Sequence, residues 1–284
     1  MRYILFFLFF VLAISVKSQI YTNADNNYVI FKHGQSNSVG GGDTADLYNP
    51  YWGNVNCYIW TDSGWYTLNA HINNNQYPHV YPMGKFGQEM SLSYYLQNIT
   101  KGNIYIIKYA YGGTALADAG PYNWNINHRG GSYDSAKVTQ QRALAALNAA
   151  NIPYTILGAY WFQGEADGVN LTYSTDYYNN LVDYITAVRN DLGMPNLYWT
   201  LIRIRYFTGY DCPRYYRSMI RDADSLFVAN DNGNSCFVDV EDLTAYDTCD
   251  SHLSSASNIT LGNRLGAAIE PKLEIRQIYL FKKP

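Results

Sequence analysis

The stretch YVIFKHGQSN at residues 28–37 decides how the rest of the chain is interpreted. Its first half is a run of aromatic and β-branched residues, which is typical of a β-strand, and Gly34 interrupts it. Because the apolar residues do not alternate with polar ones, the pattern favours a strand buried on both faces, as in a parallel sheet. Gln35, Ser36 and Asn37 follow at once, at the carboxyl end of the strand, where open parallel sheets bind their ligands. The stretch therefore predicts a buried strand with a ligand site at its end.

Four further apolar runs extend this pattern to a whole sheet. The runs are residues 104–109, 154–161, 197–202 and 236–240. Helix-like segments lie between and after them: residues 135–150, the face formed by Tyr178, Leu181, Val182, Ile185 and Val188, residues 213–229 and residues 254–269. Strands that alternate with helices predict an α/β three-layer α/β/α domain with a central, mostly parallel, five-stranded sheet.

The composition is that of an aromatic-rich globular chain. Of its 284 residues, 48% are hydrophobic, only 15% are charged, and 29 are tyrosine. The formal net charge of −3 argues against a nucleic-acid partner, which would need a basic surface. Few charges and many aromatic residues suit contacts with sugar rings and hydroxyls, although a general bias towards tyrosine explains the same numbers. We expect one domain, residues 19–284, with an irregular, aromatic-rich insertion at residues 41–86 lying over the top of the sheet.

The first 18 residues have the pattern of a secretory signal peptide. Arg2 precedes an apolar run, residues 4–14, that is too short to span a bilayer, and a polar sequence follows Ser18. We therefore expect a secreted protein, extracellular or periplasmic, with no membrane span after cleavage; an uncleaved anchor is the alternative. An oxidising compartment permits one or two disulfides among four cysteines, and the sequence does not choose their pairing. The cysteines are Cys57, Cys212, Cys236 and Cys249.

Polar groups at the ends of the predicted strands match the needs of nucleophilic acyl transfer. They are Ser36, Gly112, Gly113, Gln163 and His252. A serine hydroxyl is a weak nucleophile until a base takes its proton, and histidine is the usual base near neutral pH. Amide donors must then stabilise the negative charge that develops on the carbonyl oxygen. Each residue alone has another interpretation, such as a helix cap for Ser36 or a plain turn for the glycines. Their joint placement at strand ends favours catalysis.

Three motifs taken together resemble the SGNH-hydrolase superfamily. They are GQSN at residues 34–37 with Gly40, Lys108 with GGT at residues 112–114, and WFQGEAD at residues 161–167. More narrowly, they resemble the sialate O-acetylesterase and acetylxylan esterase group, which is carbohydrate esterase family six-like. GQEM at residues 87–90 is also similar to that group's Gly-Pro-Glu-Leu segment, and the resemblance runs from about Tyr28 to Ala268. It implies a flavodoxin-like fold and a serine esterase that hydrolyses O-acetyl esters on carbohydrate through an acetyl-enzyme intermediate.

The same resemblance implies a role for each residue of the site. Ser36 would be the nucleophile and His252 the base. The backbone amide of Ser36, that of Gly112 or Gly113, and the side chain of Gln163 would form the oxyanion hole. Supporting residues would be Gln35, Asn37, Glu165 and Asp167. Nothing in the sequence calls for a cofactor or a metal ion.

The acid that would orient the histidine is left open. The family usually places an aspartate three residues before the catalytic histidine, and Cys249 occupies that position here. Asp250, two residues before His252, reaches the ring if Ser251 is extended, and Asp247 is the alternative if the loop folds back. A Ser-His dyad without an acid is the third possibility.

Two other functions remain open beside the carbohydrate esterase. The first is a catalytically impaired glycan-binding protein on the same scaffold. The second is a lipid or aryl esterase of the same superfamily, against which the absence of a large apolar lid segment counts modestly. For the favoured function, the partner is an acetylated glycan or sugar, and we expect the aromatic insertion to supply the sugar contacts.

Overall fold

The computed structural model describes residues 26–48, 51, 53–61, 64–70, 84–206, 215–246 and 252–280. The predicted signal peptide lies outside these residues, as do Cys212, Cys249 and both candidate acids, Asp247 and Asp250. The strands are β1 (Asn27–Gly34), β2 (Gly42–Asp43), β3 (Gly53–Thr61), β4 (Gly64–Asn69), β5 (Lys85–Phe86), β6 (Asn103–Ala110), β7 (Thr155–Phe162), β8 (Trp199–Arg203) and β9 (Ser235–Asp239). The helices are α1 (Ser36–Val39), α2 (Glu89–Thr100), α3 (Ser132–Ala149), α4 (Leu171–Asp191), α5 (Arg217–Asn230) and α6 (Ser255–Leu280).

The main sheet has seven strands in the order β4-β3-β6-β1-β7-β8-β9. Strand β1 lies in the middle and pairs in parallel with β6 on one side and β7 on the other. The pairs β3–β6, β7–β8 and β8–β9 are also parallel, whereas β4 pairs antiparallel with β3. Helix α2 packs on α6, and α4 packs on α5 and α3, so helices flank the sheet. The predicted α/β class with a mostly parallel sheet is confirmed.

The sheet is larger than the predicted five strands, because the segment at residues 41–86 is not wholly irregular. It supplies the hairpin β3–β4, which extends the edge of the sheet beyond β6 instead of lying over its top. Aromatic cross-strand contacts stabilise this addition: Trp60 pairs with Trp65, and Tyr58 stacks on Tyr105 of β6 at a centroid distance of 4.8 Å. The same segment contributes β2 and β5, which form a separate two-stranded sheet.

In β1, Val29, Ile30 and Phe31 are fully buried, as the sequence predicts for this strand. His33 is also fully buried, with its Nε2 2.8 Å from Gln140 Nε2 and its Nδ1 2.7 Å from the Tyr184 hydroxyl. Burial lowers the pKa of His33 to about 3, so the ring is neutral at neutral pH. Since β1 is the middle strand, the residues that follow it lie between the ends of β6 and β7.

Two cysteines fall within the described residues, and neither forms a disulfide. Cys57 is buried in β3 and Cys236 lies in β9, and both are free thiols. These strands lie on opposite sides of β1 in the sheet. The alternative of two disulfides is therefore wrong, while a pairing of Cys212 with Cys249 falls outside the described residues. No helix in the described ranges is long and apolar enough to cross a membrane.

Candidate active site

Ser36 stands at a sharp turn between the middle strand and a single helical turn. Gly34 makes this turn possible: its φ of +139° is unfavourable for other residues, and a Cβ there would lie 2.1 Å from the carbonyl oxygen of Phe162. The Gln35 N–H donates to that same oxygen at 3.0 Å, which fixes the turn against the end of β7. Ser36 then begins α1 with its side chain partly exposed at the carboxyl edge of the sheet.

His252 lies next to Ser36 although 216 positions separate them in the chain, with 2.9 Å between His252 Nε2 and Ser36 Oγ. The histidine is carried by a short antiparallel contact in which Ala245 bridges to Leu253 and the Tyr246 N–H donates to the His252 carbonyl at 3.0 Å. The Tyr246 ring lies alongside the imidazole, with a centroid distance of 5.8 Å and an interplanar angle of 21°. The predicted nucleophile and base are therefore within hydrogen-bonding reach of each other.

Asn37 connects the nucleophile segment to the histidine segment. Its side-chain oxygen accepts from the Leu253 N–H at 3.1 Å, so it holds the residue that follows His252. Its side-chain nitrogen donates to Glu165 Oε1 at 2.6 Å, and its carbonyl accepts from Gln88 Nε2 at 3.0 Å. Asn37 is buried, so these hydrogen bonds are shielded from water. The predicted supporting residues Asn37 and Glu165 are thus joined by a hydrogen bond, and Asn37 in turn holds the histidine segment.

A second network holds the loop that follows β6. Asp167 accepts from the backbone N–H groups of Leu116 at 2.8 Å and Ala117 at 2.9 Å, and from Gln163 Nε2 at 2.5 Å. Burial raises the pKa of Asp167 to about 6, although these donors favour its charged form. Gln35 joins the network because its Oε1 lies 3.3 Å from Gln163 Nε2. The network fixes the start of this loop relative to the turn that carries Ser36, residues 34–37, which we call the nucleophile turn.

Gln163 does not have the contacts expected of an oxyanion donor. Its Nε2 donates to the carbonyl of Thr114 at 3.0 Å and to Asp167, and the side chain is fully buried. The prediction that this amide faces the reacting oxygen is therefore not supported by its contacts. Gly112, in contrast, lies against the nucleophile, since a Cβ there would be 3.6 Å from Ser36 Cβ. Gly113 has a φ of +73° and makes the turn that follows.

A fully buried cluster of three charged side chains lies beneath α1, and no local sequence pattern joins its members. Lys32 Nζ is 2.5 Å from Glu89 Oε2, and Lys108 Nζ is 3.0 Å from Glu89 Oε1. The lysines also donate to the last two carbonyls of α1: Lys32 to that of Ser38 at 2.8 Å, and Lys108 to that of Val39 at 2.6 Å. The Lys32–Glu89–Lys108 cluster therefore fixes the nucleophile turn from below.

Burial shifts the pKa values of the three side chains in this cluster, because it removes their charges from water. Burial lowers the pKa of Lys32 to about 7, against the opposing attraction of Glu89. Burial also lowers the pKa of Lys108. Burial alone would raise the pKa of Glu89, but the charges of both lysines outweigh it and lower that pKa. One signal could have revealed the cluster: a lysine inside each of two apolar runs must find a buried partner.

No three His, Cys, Asp or Glu side chains group as metal ligands within the described ranges. The fold brings Ser36 and His252 together at the carboxyl end of the sheet, in the arrangement that nucleophilic acyl transfer requires.

The family follows from comparison with known proteins. The model of the family described as carbohydrate esterase, sialic acid-specific acetylesterase matches residues 26–270, and the chain belongs to this family. Family membership supports a carbohydrate esterase type of hydrolase, and it confirms the resemblance to the SGNH esterase group. No curated protein matches the sequence.

Solved structures share the fold. A protein from Arabidopsis thaliana is 20% identical, with a TM-score of 0.69 over 86% of this chain and 98% of that one. NanS is 16% identical, with a TM-score of 0.65 over 88% of this chain and 98% of its own. A carbohydrate acetylesterase from Xanthomonas citri is 16% identical, with a TM-score of 0.54 over 85% of this chain and 55% of that one.

Proposed function

We propose that this protein is an exported serine O-acetylesterase that removes acetyl groups from carbohydrate. The observation that carries the proposal is the 2.9 Å distance between Ser36 Oγ and His252 Nε2, in a chain that belongs to a carbohydrate esterase family. The family description makes O-acetylated sialic acid the first substrate to test. Acetylated xylan is the second, from the resemblance of the sequence motifs to acetylxylan esterases.

In the first half of the reaction, Ser36 Oγ attacks the acetyl carbonyl carbon while His252 Nε2 takes the hydroxyl proton. The resulting tetrahedral intermediate collapses as the bond between the carbonyl carbon and the sugar oxygen breaks, and His252 gives its proton to that oxygen. The deacetylated sugar leaves, and the acetyl group remains on Ser36. In the second half, His252 takes a proton from water as the hydroxide adds to the acetyl carbon. The bond between that carbon and Ser36 Oγ then breaks, and His252 returns its proton to Oγ. Acetic acid leaves and ionises to acetate and a proton in solvent.

The negative charge on the carbonyl oxygen needs hydrogen-bond donors in both halves of the reaction. We assign this role to the backbone N–H groups of Ser36 and Gly112, because Gly112 lies against the serine side chain. Gln163 then serves as a positioning residue, since it binds the Thr114 carbonyl two residues beyond Gly112. The third member of a triad stays a proposal from the sequence, with Asp250 first and Asp247 as the alternative.

The test compares acetate release by the wild type and by Ser36→Ala from 4-nitrophenyl acetate, O-acetylated sialic acid and acetylated xylan. We expect the variant to be at least about 1,000-fold slower, because the nucleophile is lost. Ser135→Ala, at the start of α3, controls for a serine substitution as such. Equal rates for wild type and Ser36→Ala would overturn the assignment. Binding of an acetylated glycan with no turnover would favour the glycan-binding alternative, and a preference for longer acyl chains would favour a lipid or aryl esterase.

Export is tested separately from activity. The proposal predicts that the protein expressed in its secretory host appears in the exported fraction with its first residue near Gln19. Mass spectrometry of the mature N-terminus measures this. A mature chain that still begins at Met1 would contradict cleavage.

A further inference from the structure

Two stacked tyrosines lie beside the glycine that contacts Ser36. The rings of Tyr111 and Tyr122 have a centroid distance of 4.5 Å and an interplanar angle of 16°. Tyr111 immediately precedes Gly112, and its N–H donates at 3.0 Å to the carbonyl of Gly34, two residues before Ser36. Tyr122 is 48% exposed although one face of its ring is covered by Tyr111. The stacked pair therefore presents aromatic surface to solvent at the rim of the candidate active site.

The loop that carries Tyr122 is tightly held. Trp124, two residues further on, is fully buried and donates from its backbone to the Ala115 carbonyl at 2.9 Å and from its indole to Thr114 Oγ1 at 2.9 Å. The Tyr122 carbonyl itself accepts from Ser132 Oγ at 2.5 Å. An exposed ring on a well-ordered support loses little conformational entropy when a ligand packs on it. Tyr122 should therefore lose less conformational entropy on binding than an exposed tyrosine on a loosely held segment would.

Two tryptophans of the 41–86 segment, where we expected the sugar contacts, pack inside the fold, whereas Tyr48 and Tyr66 of the same segment are exposed. Trp60 is only 7% exposed, and Trp65 packs edge-on against Tyr105 at a centroid distance of 5.0 Å. The indole of Trp65 also donates to the Ala143 carbonyl at 3.2 Å. For these two tryptophans the expectation is therefore wrong, since their rings stabilise the sheet edge. Trp52 lies outside the described residues.

We propose that Tyr122, backed by Tyr111, is the platform on which the sugar ring of the substrate packs while its acetyl group reaches Ser36. The inference rests on the proposed function and names the part of the site that recognises the carbohydrate. The C–H groups on one face of a pyranose ring are apolar, and an aromatic face offers them dispersion contacts and its negative quadrupole. Tyr122 is thus a specificity-determining residue, and it contributes nothing to the bond-breaking steps.

The test compares an acetate ester that contains a sugar ring with one that has no ring. Tyr122→Ala is compared with wild type on an O-acetylated sugar and on ethyl acetate, which has no ring to pack. We expect kcat/KM for the sugar ester to fall about tenfold, mainly through KM, and kcat/KM for ethyl acetate to stay within about twofold. Tyr122→Phe should keep the wild-type values because it keeps the ring. Tyr66→Ala, which removes an exposed tyrosine from the outer strand β4, is the matched control.

A binding measurement separates failure of the platform from failure of the proposed function. Calorimetry with the deacetylated product sugar should show about tenfold weaker binding to Tyr122→Ala than to wild type, whether or not either protein turns over an ester. Equal sugar binding by the two proteins, or equal losses on both substrates, would overturn the platform. If Ser36→Ala retains full activity while Tyr122→Ala loses sugar binding, the platform stands and the nucleophile assignment falls.

Discussion

The two segments that form the Ser36–His252 pair are supported in different ways. The nucleophile turn follows the middle strand of a seven-stranded sheet and is held from below by the Lys32–Glu89–Lys108 cluster, whose members are all at most 2% exposed. Among the described residues, the contacts of the histidine segment are the Ala245–Leu253 bridge, the ring of Tyr246, the hydrogen bond from Leu253 to Asn37, and hydrogen bonds that join Ser254 to Thr244 and Asn258 to Leu253. The serine thus follows the middle strand above a buried charged cluster, whereas the contacts of the histidine segment include one to Asn37, the residue next to the serine.

Because the two segments are supported differently, we expect mutations in them to have different effects on stability and activity. Substitutions beneath the nucleophile should lower the free energy of unfolding together with the activity. Substitutions in the histidine segment should lower activity with little change in stability. Three variants test this contrast and a fourth tests the buried histidine of β1, in order of decreasing effect.

The largest effect is expected from Glu89→Ala. It leaves Lys32 and Lys108 buried without their common partner, and breaking a buried ion pair in this way lowers the free energy of unfolding by about 3–5 kcal/mol. Urea denaturation measures the loss, and esterase activity should fall with it. The control is Asp43→Asn, which breaks a solvent-exposed pair with Lys85 and should leave the midpoint of urea denaturation nearly unchanged. Similar losses in both variants would show that the cluster has no special role.

Asn37→Ala is expected to lower kcat by about 100-fold, because the Leu253 N–H loses its acceptor and the adjacent His252 moves relative to Ser36. The free energy of unfolding should fall by only about 1–3 kcal/mol, the usual range for a buried polar group that loses its partner. Asn98→Ala, at an exposed position of α2, is the control. Unchanged turnover with a large loss of stability would contradict a positioning role for Asn37.

His33 predicts a pH dependence of stability. Burial lowers the pKa of His33 from 6.5 to about 3 in the folded protein. Below pH 6.5 the unfolded chain therefore binds a proton that the folded protein does not, and the free energy of unfolding decreases as the pH falls from 6.5 towards 3. At pH 5 the loss is about 2 kcal/mol relative to pH 8. In His33→Gln, the free energy of unfolding should therefore fall less steeply between pH 7 and pH 4 than in wild type. His128→Gln, at a partly exposed histidine, controls for the loss of a histidine. The same slope in wild type and His33→Gln would contradict this origin of acid sensitivity.

The smallest effect is expected from Tyr246→Leu. The variant loses the ring that lies alongside the imidazole, so we expect kcat to fall about three- to tenfold on sugar esters and on ethyl acetate alike. The free energy of unfolding should change by only about 0.5 kcal/mol, because Tyr246 is largely exposed. A loss confined to sugar esters would make Tyr246 a substrate contact instead of a support for the base.

The parts of the fold predicted from sequence are those marked by local patterns. Residues 28–37 predict a buried strand that ends in a polar turn, and the structure has β1 and α1 there. The hairpin β3–β4 was missed because its mixture of aromatic and polar residues suggested irregular structure, although its strands pair through Trp60 and Trp65. The local sequence does not show that these rings would lie against β6.

The site was predicted only as far as its residue types allow. Ser36 and His252 were singled out by chemistry, and their meeting depends on folding of the whole chain. The charged cluster was missed because Glu89 lies 57 positions from Lys32, so no local pattern joins them. Gln163 was assigned by resemblance, and its burial against Thr114 and Asp167 is a tertiary contact that a motif does not contain.

Covalent labelling tests whether His252 activates Ser36. A fluorophosphonate reacts with an activated serine and leaves an adduct that mass spectrometry can assign to one residue. We predict a single adduct on Ser36 in the wild type, none in Ser36→Ala, and a labelling rate at least about 100-fold lower in His252→Ala. An adduct on a different serine, or equal labelling rates in wild type and His252→Ala, would contradict the account.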